Sequence, residues 1–180
     1  MPHSRARLPS TRPLVSDPIT LRWVAGVGFG SNLIEWFSHA RFSHVGALLP
    51  DGSELGSRDD VIQGIPAGVQ IRPPNYEPWR RTLSVTLPAT EDQCAQFWAW
   101  LHSQIGKPYD QVGILGFAAD RNWREEDSWF CSEIQTAALE KCDWFSHLLA
   151  VTESKITPGD LLLLISDRVQ VDISAMEMHR

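Results

Sequence analysis

Apolar and polar residues alternate along this chain with two periods, and the switches between them mark the elements. Ile19 to Val27 (ITLRWVAGV) is strand-like and runs into Gly26, Gly28 and Gly30. Ser31-Asn32-Leu33-Ile34-Glu35-Trp36-Phe37 follows, with cap residues, Glu35 three positions after Asn32 and apolar side chains at helical spacing, so a strand, a glycine turn and a helix are expected. Phe42 to Leu49 and Glu54 to Arg58 are short strand runs on either side of Pro50-Asp51-Gly52-Ser53, which predicts a hairpin. Asp59 to Ala67 reads as a loop, and Val69–Pro73 and Thr82–Leu87 as further strands. Thr90 with Gln93 forms a capping box for a helix whose apolar face is Cys94, Phe97, Trp98, Leu101 and Ile105; it stops at Gly106, with His102 on the solvent side.

A glycine-punctuated apolar stretch (Val112 to Phe117) and a charged loop (Asp120 to Asp127) lead into a second well-marked helix. Ser128 is a candidate N-cap, Cys131 lies in the first turn, and Ile134, Ala137, Ala138, Leu139 and Cys142 form the apolar stripe. Asp143 to Val151 reads as another short helix, Ile156 to Asp160 as a turn, Leu161 to Ser166 as a buried strand and Val169 to Ile173 as a final strand. Met1 to about Pro18 is rich in Pro, Arg and Ser without a hydrophobic period, which predicts a disordered tail before a single domain over 19–180.

The hairpin has two registers. Pro50 suits the first central position of a type I turn, with Gly52 as the left-handed residue of a bulge. Leu49 then pairs with Ser53, Leu48 with Glu54, Gly46 with Gly56 and His44 with Arg58, so His44 and Glu54 share a face. A tight Asp51-Gly52 turn slips the pairing by one and brings Ser57 and Asp59 to His44 instead.

Composition narrows the function. With 180 residues, 43% hydrophobic and 21% charged, the chain fills one core, and a net charge of −6 without a Lys/Arg cluster beyond the tail argues against nucleic acid as partner. Cys94, Cys131 and Cys142 give neither a disulfide framework nor a zinc spacing, and no metal or cofactor is expected. The glycines G-x-G-x-G lack the following strand and ribose-binding acid of a dinucleotide loop, and the carboxylates of 120–127 lack the spacing of a calcium loop. No signal peptide or apolar run of membrane-spanning length is present, so the cytoplasm is the default location, with export or association with a virion left open.

Cys131 is the candidate nucleophile. Unpaired N–H groups and the positive end of a helix dipole favour the thiolate there. His44, at the start of a strand, is the candidate base.

Gly106-Lys107-Pro108-Tyr109 followed by a cysteine at a helix start resembles the G-x-P-Y … C-S pattern of the NlpC-type papain-like amidases, and Ser43-His44-Val45-Gly46 resembles their histidine strand. Here the histidine precedes the cysteine, as in the circularly permuted, YiiX-like branch, whose F-C-S-E-L signature is matched by Phe130-Cys131-Ser132-Glu133-Ile134. The resemblance spans Ile19 to Leu164. It implies an α+β, papain-like, circularly permuted domain in which an antiparallel sheet or half-barrel packs against helices including the nucleophile helix. It also implies acyl transfer through a Cys131 thioester with His44 as base and the Tyr109 hydroxyl beside the oxyanion; Ser31, at the edge of the glycine turn that can bring backbone close to a ligand, is the other candidate at the substrate or oxyanion position. The family's third polar residue, twelve positions after the histidine, falls here on Gly56, which has no side chain. Glu54 is chosen in its place; Ser57, Asp59, a backbone carbonyl or a water are the alternatives. Glu133 is read as structural or entrance-lining.

Two classes of function follow. One is a cysteine hydrolase of amides or esters, a peptidase or amidase of cell-wall-like peptides or, within the same fold, a lipid thioesterase or acyltransferase. The other is a binding or structural module with little turnover. The oligomeric state and the substrate are not legible.

Overall fold

The computed structural model describes residues 17–26, 41–110, 128–145, 156–172 and 176–178. The expected glycine turn and helix with Ser31, the stretch 112–117, the acidic loop 120–127, the tail to residue 16 and residues 146–151 lie outside the described residues.

Six antiparallel strands form one sheet: β1 (Thr20–Gly26), β2 (His44–Leu48), β3 (Glu54–Arg58), β4 (Gly68–Arg72), β5 (Trp79–Thr86) and β6 (Glu177–Met178), in the spatial order β4-β3-β2-β1-β5-β6. Among the described residues three helices accompany it, α1 (Glu91–Ser103), α2 (Cys131–Lys141) and α3 (Pro158–Ser166), giving an α+β architecture. The β2–β3 hairpin has the bulged register: Gly52 sits at φ +82°, its N–H bonds to Leu49 O at 2.9 Å, Leu49 N–H bonds to Ser53 O at 2.9 Å, and Leu48 faces Glu54. Asp51 stabilises the turn by accepting from Ser53 N–H at 2.9 Å.

Strand alternation sorts the side chains. Leu21, Trp23, Val45, Ala47, Leu55 and Val69 point to one face, where they join Phe97, Trp98, Leu101, Ile134, Ala138, Leu161 and Ile165 of the three helices in the main core. On the other face Val24 packs with Tyr76, Trp79 and Ile62 of the segments flanking β4. Both faces are thus covered.

The expected α1 cap is present, with Thr90 Oγ1 accepting from Gln93 N–H at 3.2 Å and Gln93 Oε1 accepting from Thr90 N–H at 3.0 Å. The helix ends at Ser103, so Ile105 leaves its apolar face and is 41% exposed, while His102 is half-buried beside Trp98 and not on the solvent side. The largest difference is at 157–166. Thr157 and Asp160 make a reciprocal capping box, Pro158 occupies the first turn, and the leucine run expected as a strand is helix α3, with Leu161 and Ile165 buried one turn apart and Leu163 72% exposed. Residues 169–172 form no strand; β6 pairs instead with Arg81 and Thr82. Asp17, placed in the tail by its composition, accepts from Trp98 Nε1 at 3.0 Å through its carbonyl.

Candidate active site

Cys131 is the first residue of α2. The cap is Phe130 and not Ser128: Phe130 is extended (φ −81°, ψ 158°) and its N–H donates to Glu133 Oε2 at 3.0 Å, a structural role for Glu133. The approach to the helix is pinned from three sides. Trp129 N–H donates to Pro108 O at 3.1 Å, Asp110 N–H to Trp129 O at 3.3 Å, and Ser57 Oγ–H to Trp129 O at 2.6 Å. The Gly106–Tyr109 segment is itself docked on β4 through Val69 N–H to Lys107 O and Gly106 N–H to Val69 O, both 2.9 Å. Gly68 permits this, since at φ +96° a Cβ would run into the Lys107 carbonyl. Tyr109 is thereby delivered to a small cluster with Phe130 and Cys131.

The sulfur is 2% exposed. Burial pushes its thiol up to about 12, against the Val45 and Ser132 N–H groups directed at it and the nearby Arg58 charge. The expectation that the helix start makes a resting thiolate is therefore corrected, because desolvation outweighs the dipole. Burial and the neighbouring sulfur raise the Tyr109 hydroxyl well above its ordinary value, so it stays a donor.

His44 and Glu54 meet. Nε2 of the imidazole lies 2.8 Å from Glu54 Oε1, and Oε2 accepts from Arg22 Nε at 3.0 Å and Nη2 at 2.8 Å. Tyr76 Oη donates to Oε1 at 2.8 Å. The carboxylate reaches back along β2 only because Gly46 lies between: a Cβ there would fall 2.5 Å from Cγ, Cδ and Oε1 of Glu54. Ser57 points the other way, to Trp129, and Asp59 is exposed. Burial alone would raise the Glu54 carboxyl, but the His44 bond and charge, Arg22 and Tyr76 together hold it at about 2. Burial lowers the His44 pKa below 6.5, with Glu54 pulling against it and Arg58 and Arg72 adding to it. At neutral pH the sulfur is a thiol and the imidazole is neutral.

The β2–β3 ladder is short. β2 and β3 pair only at Ala47–Leu55 and Leu48–Glu54, so the expected pairing does not extend to Gly46–Gly56 or His44–Arg58. Beyond that point α2 supplies the partners: the sulfur faces Val45 N–H, and Gln135 Nε2 donates to Leu55 O at 3.1 Å. The imidazole projects from the face it shares with Arg22 and Glu54. The bond the imidazole makes is to Glu54, not to the sulfur.

Arg22, Tyr76 and Gln135 were not singled out from sequence. Gln135 had a signal, a polar residue four positions after Cys131 and so on its face of the helix. Arg22 is a lone cation in an apolar strand, whose partner is defined only once β1 pairs with β2. Arg58 is held between Tyr76 and Trp79, 5.6 and 5.3 Å from their ring centres, and pairs with Glu77 at 2.7 Å.

Beside Trp129 a polar cleft of about 540 Å³ opens between α1 and α2, lined by Trp100, Gln104, Lys107, Glu140 and Lys141. Trp23, Trp98 and Trp144, by contrast, are core residues. Among the described residues no cluster of His, Cys, Asp or Glu is arranged to hold a metal, and no helix is long and apolar enough to cross a membrane. Compared with protein-family models and with curated proteins, the chain matches none.

Proposed function

We propose that this protein is a cysteine hydrolase of amide or ester bonds, with Cys131 as nucleophile, His44 as base and Glu54 as the group that orients the base, in the manner of the permuted papain-like amidases it resembles. The observation that carries the reading is the His44–Glu54 bond of 2.8 Å, together with a cysteine as the first residue of a helix. It supplies the third polar group that counting along the sequence placed on a glycine. An ionised carboxylate only accepts, so the ring holds its proton on Nε2 and keeps Nδ1 as its acceptor.

Because both groups are neutral at rest, His44 acts as general base during attack. Sγ bonds to the substrate carbonyl carbon as its proton passes to Nδ1, and the carbonyl becomes an oxyanion. The Tyr109 hydroxyl and the N–H groups at the start of α2 are the donors for that charge; Ser31, the other expected contributor, lies outside the described residues. The scissile bond breaks with the proton passing from Nδ1 to the leaving group, and water then hydrolyses the thioester by the same route. Closure of Nδ1 onto the sulfur belongs to the substrate-bound state, since catalytic hydrogen bonds are commonly loose before it.

A peptide, including a cell-wall-like one, is the first substrate class, by the resemblance; the polar cleft between α1 and α2 is lined by none of Cys131, His44 or Tyr109. A lipid thioesterase or acyltransferase is the second reading. Its counterpart in the structure is an apolar groove of about 420 Å³ lined by Phe42, Leu83, Leu162, Leu163 and Met176, on the helix-covered side and not at His44. The decisive experiment is reaction with p-nitrophenyl acetate followed by peptide mass mapping. All three cysteines are buried, so simple exposure favours none. Acetyl on Cys131, slowed at least about 100-fold in His44→Ala, is expected. Equal, slow labelling of Cys94, Cys131 and Cys142 would leave a binding module as the better reading. Short peptide amides against acyl thioesters of graded length then separate the two substrate classes.

A further inference from the structure

Glu54 reaches His44 by a long path, and its side chain has three rotors with which to miss. The structure closes off that freedom from two other elements. Arg22 stands on β1 opposite Gly46, on the face Glu54 occupies, and places two N–H groups on Oε2 at 3.0 and 2.8 Å. Tyr76, beyond the end of β4, places its hydroxyl on Oε1 at 2.8 Å, on the oxygen that also takes the imidazole. Tyr76 is itself fixed: its ring meets Trp79 edge-on at 5.3 Å, carries the Arg58 guanidinium at 5.6 Å, and its carbonyl accepts from Gln63 Nε2 at 3.0 Å. Every donor on Glu54 thus comes from a different element, and all of them are buried.

Resting on the hydrolase reading above, we propose that Arg22 and Tyr76 are positioning residues that clamp both oxygens of Glu54 and so hold His44 in the tautomer whose Nδ1 is free to take the thiol proton. The chemistry of the donors dictates the outcome. A carboxylate that accepts from Arg22 and from a tyrosine hydroxyl stays ionised, and an ionised carboxylate at 2.8 Å from Nε2 requires a proton on that nitrogen. Remove either clamp and the carboxylate can rotate or take up a proton. Nε2 is then free to become the acceptor, and the proton moves to Nδ1, where it blocks transfer from sulfur; a base in the wrong tautomer is a catalytic loss without any loss of fold. The groups acting on the ring are Glu54 and Arg58 from β3 and Arg72 from β4, with Arg22 and Tyr76 behind the carboxylate, so no histidine or lysine competes for its proton among the described residues.

The test pairs a tautomer measurement with a rate. Two-bond ¹⁵N–¹H correlation of ¹⁵N-histidine-labelled protein, assigned with His44→Gln, reads which nitrogen of His44 carries the proton; mass mapping of Cys131 acetylation by p-nitrophenyl acetate reads reactivity. The intact chain should show the Nε2–H form alone. Tyr76→Phe, which keeps the ring packed on Trp79 and Arg58, and Arg22→Gln should each give a mixture of tautomers and acetylate about tenfold more slowly, part of what a general base supplies. Arg22→Lys, which keeps one cationic donor, should recover part of both. Circular dichroism confirms that each variant is folded, and Tyr76→Phe serves alone should Arg22→Gln unfold. The proposal is overturned, with the hydrolase reading intact, when Tyr76→Phe and Arg22→Gln keep a pure Nε2–H ring and the original rate while Glu54→Gln loses both. When the intact protein acetylates no faster than His44→Ala, the hydrolase reading itself falls and takes the positioning role with it.

Discussion

The two faces of the sheet are built from the same strands and are buried to the same degree, yet they do opposite things. On the helix-covered face, Leu21, Trp23, Val45, Ala47 and Leu55 are all fully buried and apolar, and burial alone stabilises them. On the other face Arg22, His44, Glu54, Arg58 and Arg72 are nearly as inaccessible. Burying charge there costs free energy that pairing only partly returns. A face that served stability alone would be apolar on both sides. The contrast sets the second face apart as the one that carries buried charge, and the proposed base and its carboxylate are on it.

Substitutions on the two faces should therefore separate stability from reactivity. The largest loss of stability is expected from Trp23→Ala, which empties a large core site and removes the Nε1 bond to Pro158 O at 2.8 Å, about 3–5 kcal/mol. Urea unfolding measures it. In whatever fraction remains folded, the His44 tautomer should be unchanged.

Acid should act through the polar face. Glu54 has its folded pKa at about 2 against an ordinary 4.5, so its contribution, on the order of 3 kcal/mol, is full above 4.5 and lost as pH falls toward 2. His44 is held below its ordinary 6.5, so the unfolded chain binds the extra proton below that pH, and stability falls there too. Both act in the same direction. The urea midpoint should drop continuously from pH 6.5 to 3, and the Glu54→Gln variant should show a shallower drop below pH 4.5. An equal slope in the two proteins would place the acid sensitivity elsewhere.

Gly46→Ala addresses the polar face without touching a charge. The added methyl occupies the space of Glu54 Cγ and Cδ, and overpacking of this kind costs about 1–3 kcal/mol. The sharper readout is acetylation of Cys131, which should fall with the displaced carboxylate; an unaltered rate would separate Glu54 from the chemistry. The smallest effect belongs to Ser57→Ala on the apolar face. Loss of its 2.6 Å bond to Trp129 O should cost about 1 kcal/mol by thermal or urea unfolding, with the tautomer of His44 unmoved.

Local chemistry made much of this fold legible. Five strands and two helices follow from alternation, helical stripes and the Thr90–Gln93 cap, and of the two hairpin registers that Pro50-Asp51-Gly52 allows the structure has the bulged one. It was that register, not the spacing of a family motif, that put Glu54 on the face of His44. The leucine run at 161–166 reads as a strand because an unbroken apolar block has no period and is short; the Thr157–Asp160 capping box is the local signal for a helix there. Site residues contributed by other strands were out of reach for a different reason: Arg22 is 32 positions from Glu54 and Tyr76 is 22, and nothing local to either announces the contact.

By itself, then, the chain determined its periodic elements, its tight turns and the two residue types suited to acyl transfer, because each depends on neighbours within a few positions. Tertiary structure alone decided that a carboxylate would be clamped by an arginine and a tyrosine from two other segments. It also decided that the helix-start cysteine would be a thiol, because how far water is excluded from a sulfur is set by everything packed around it and by no stretch of sequence.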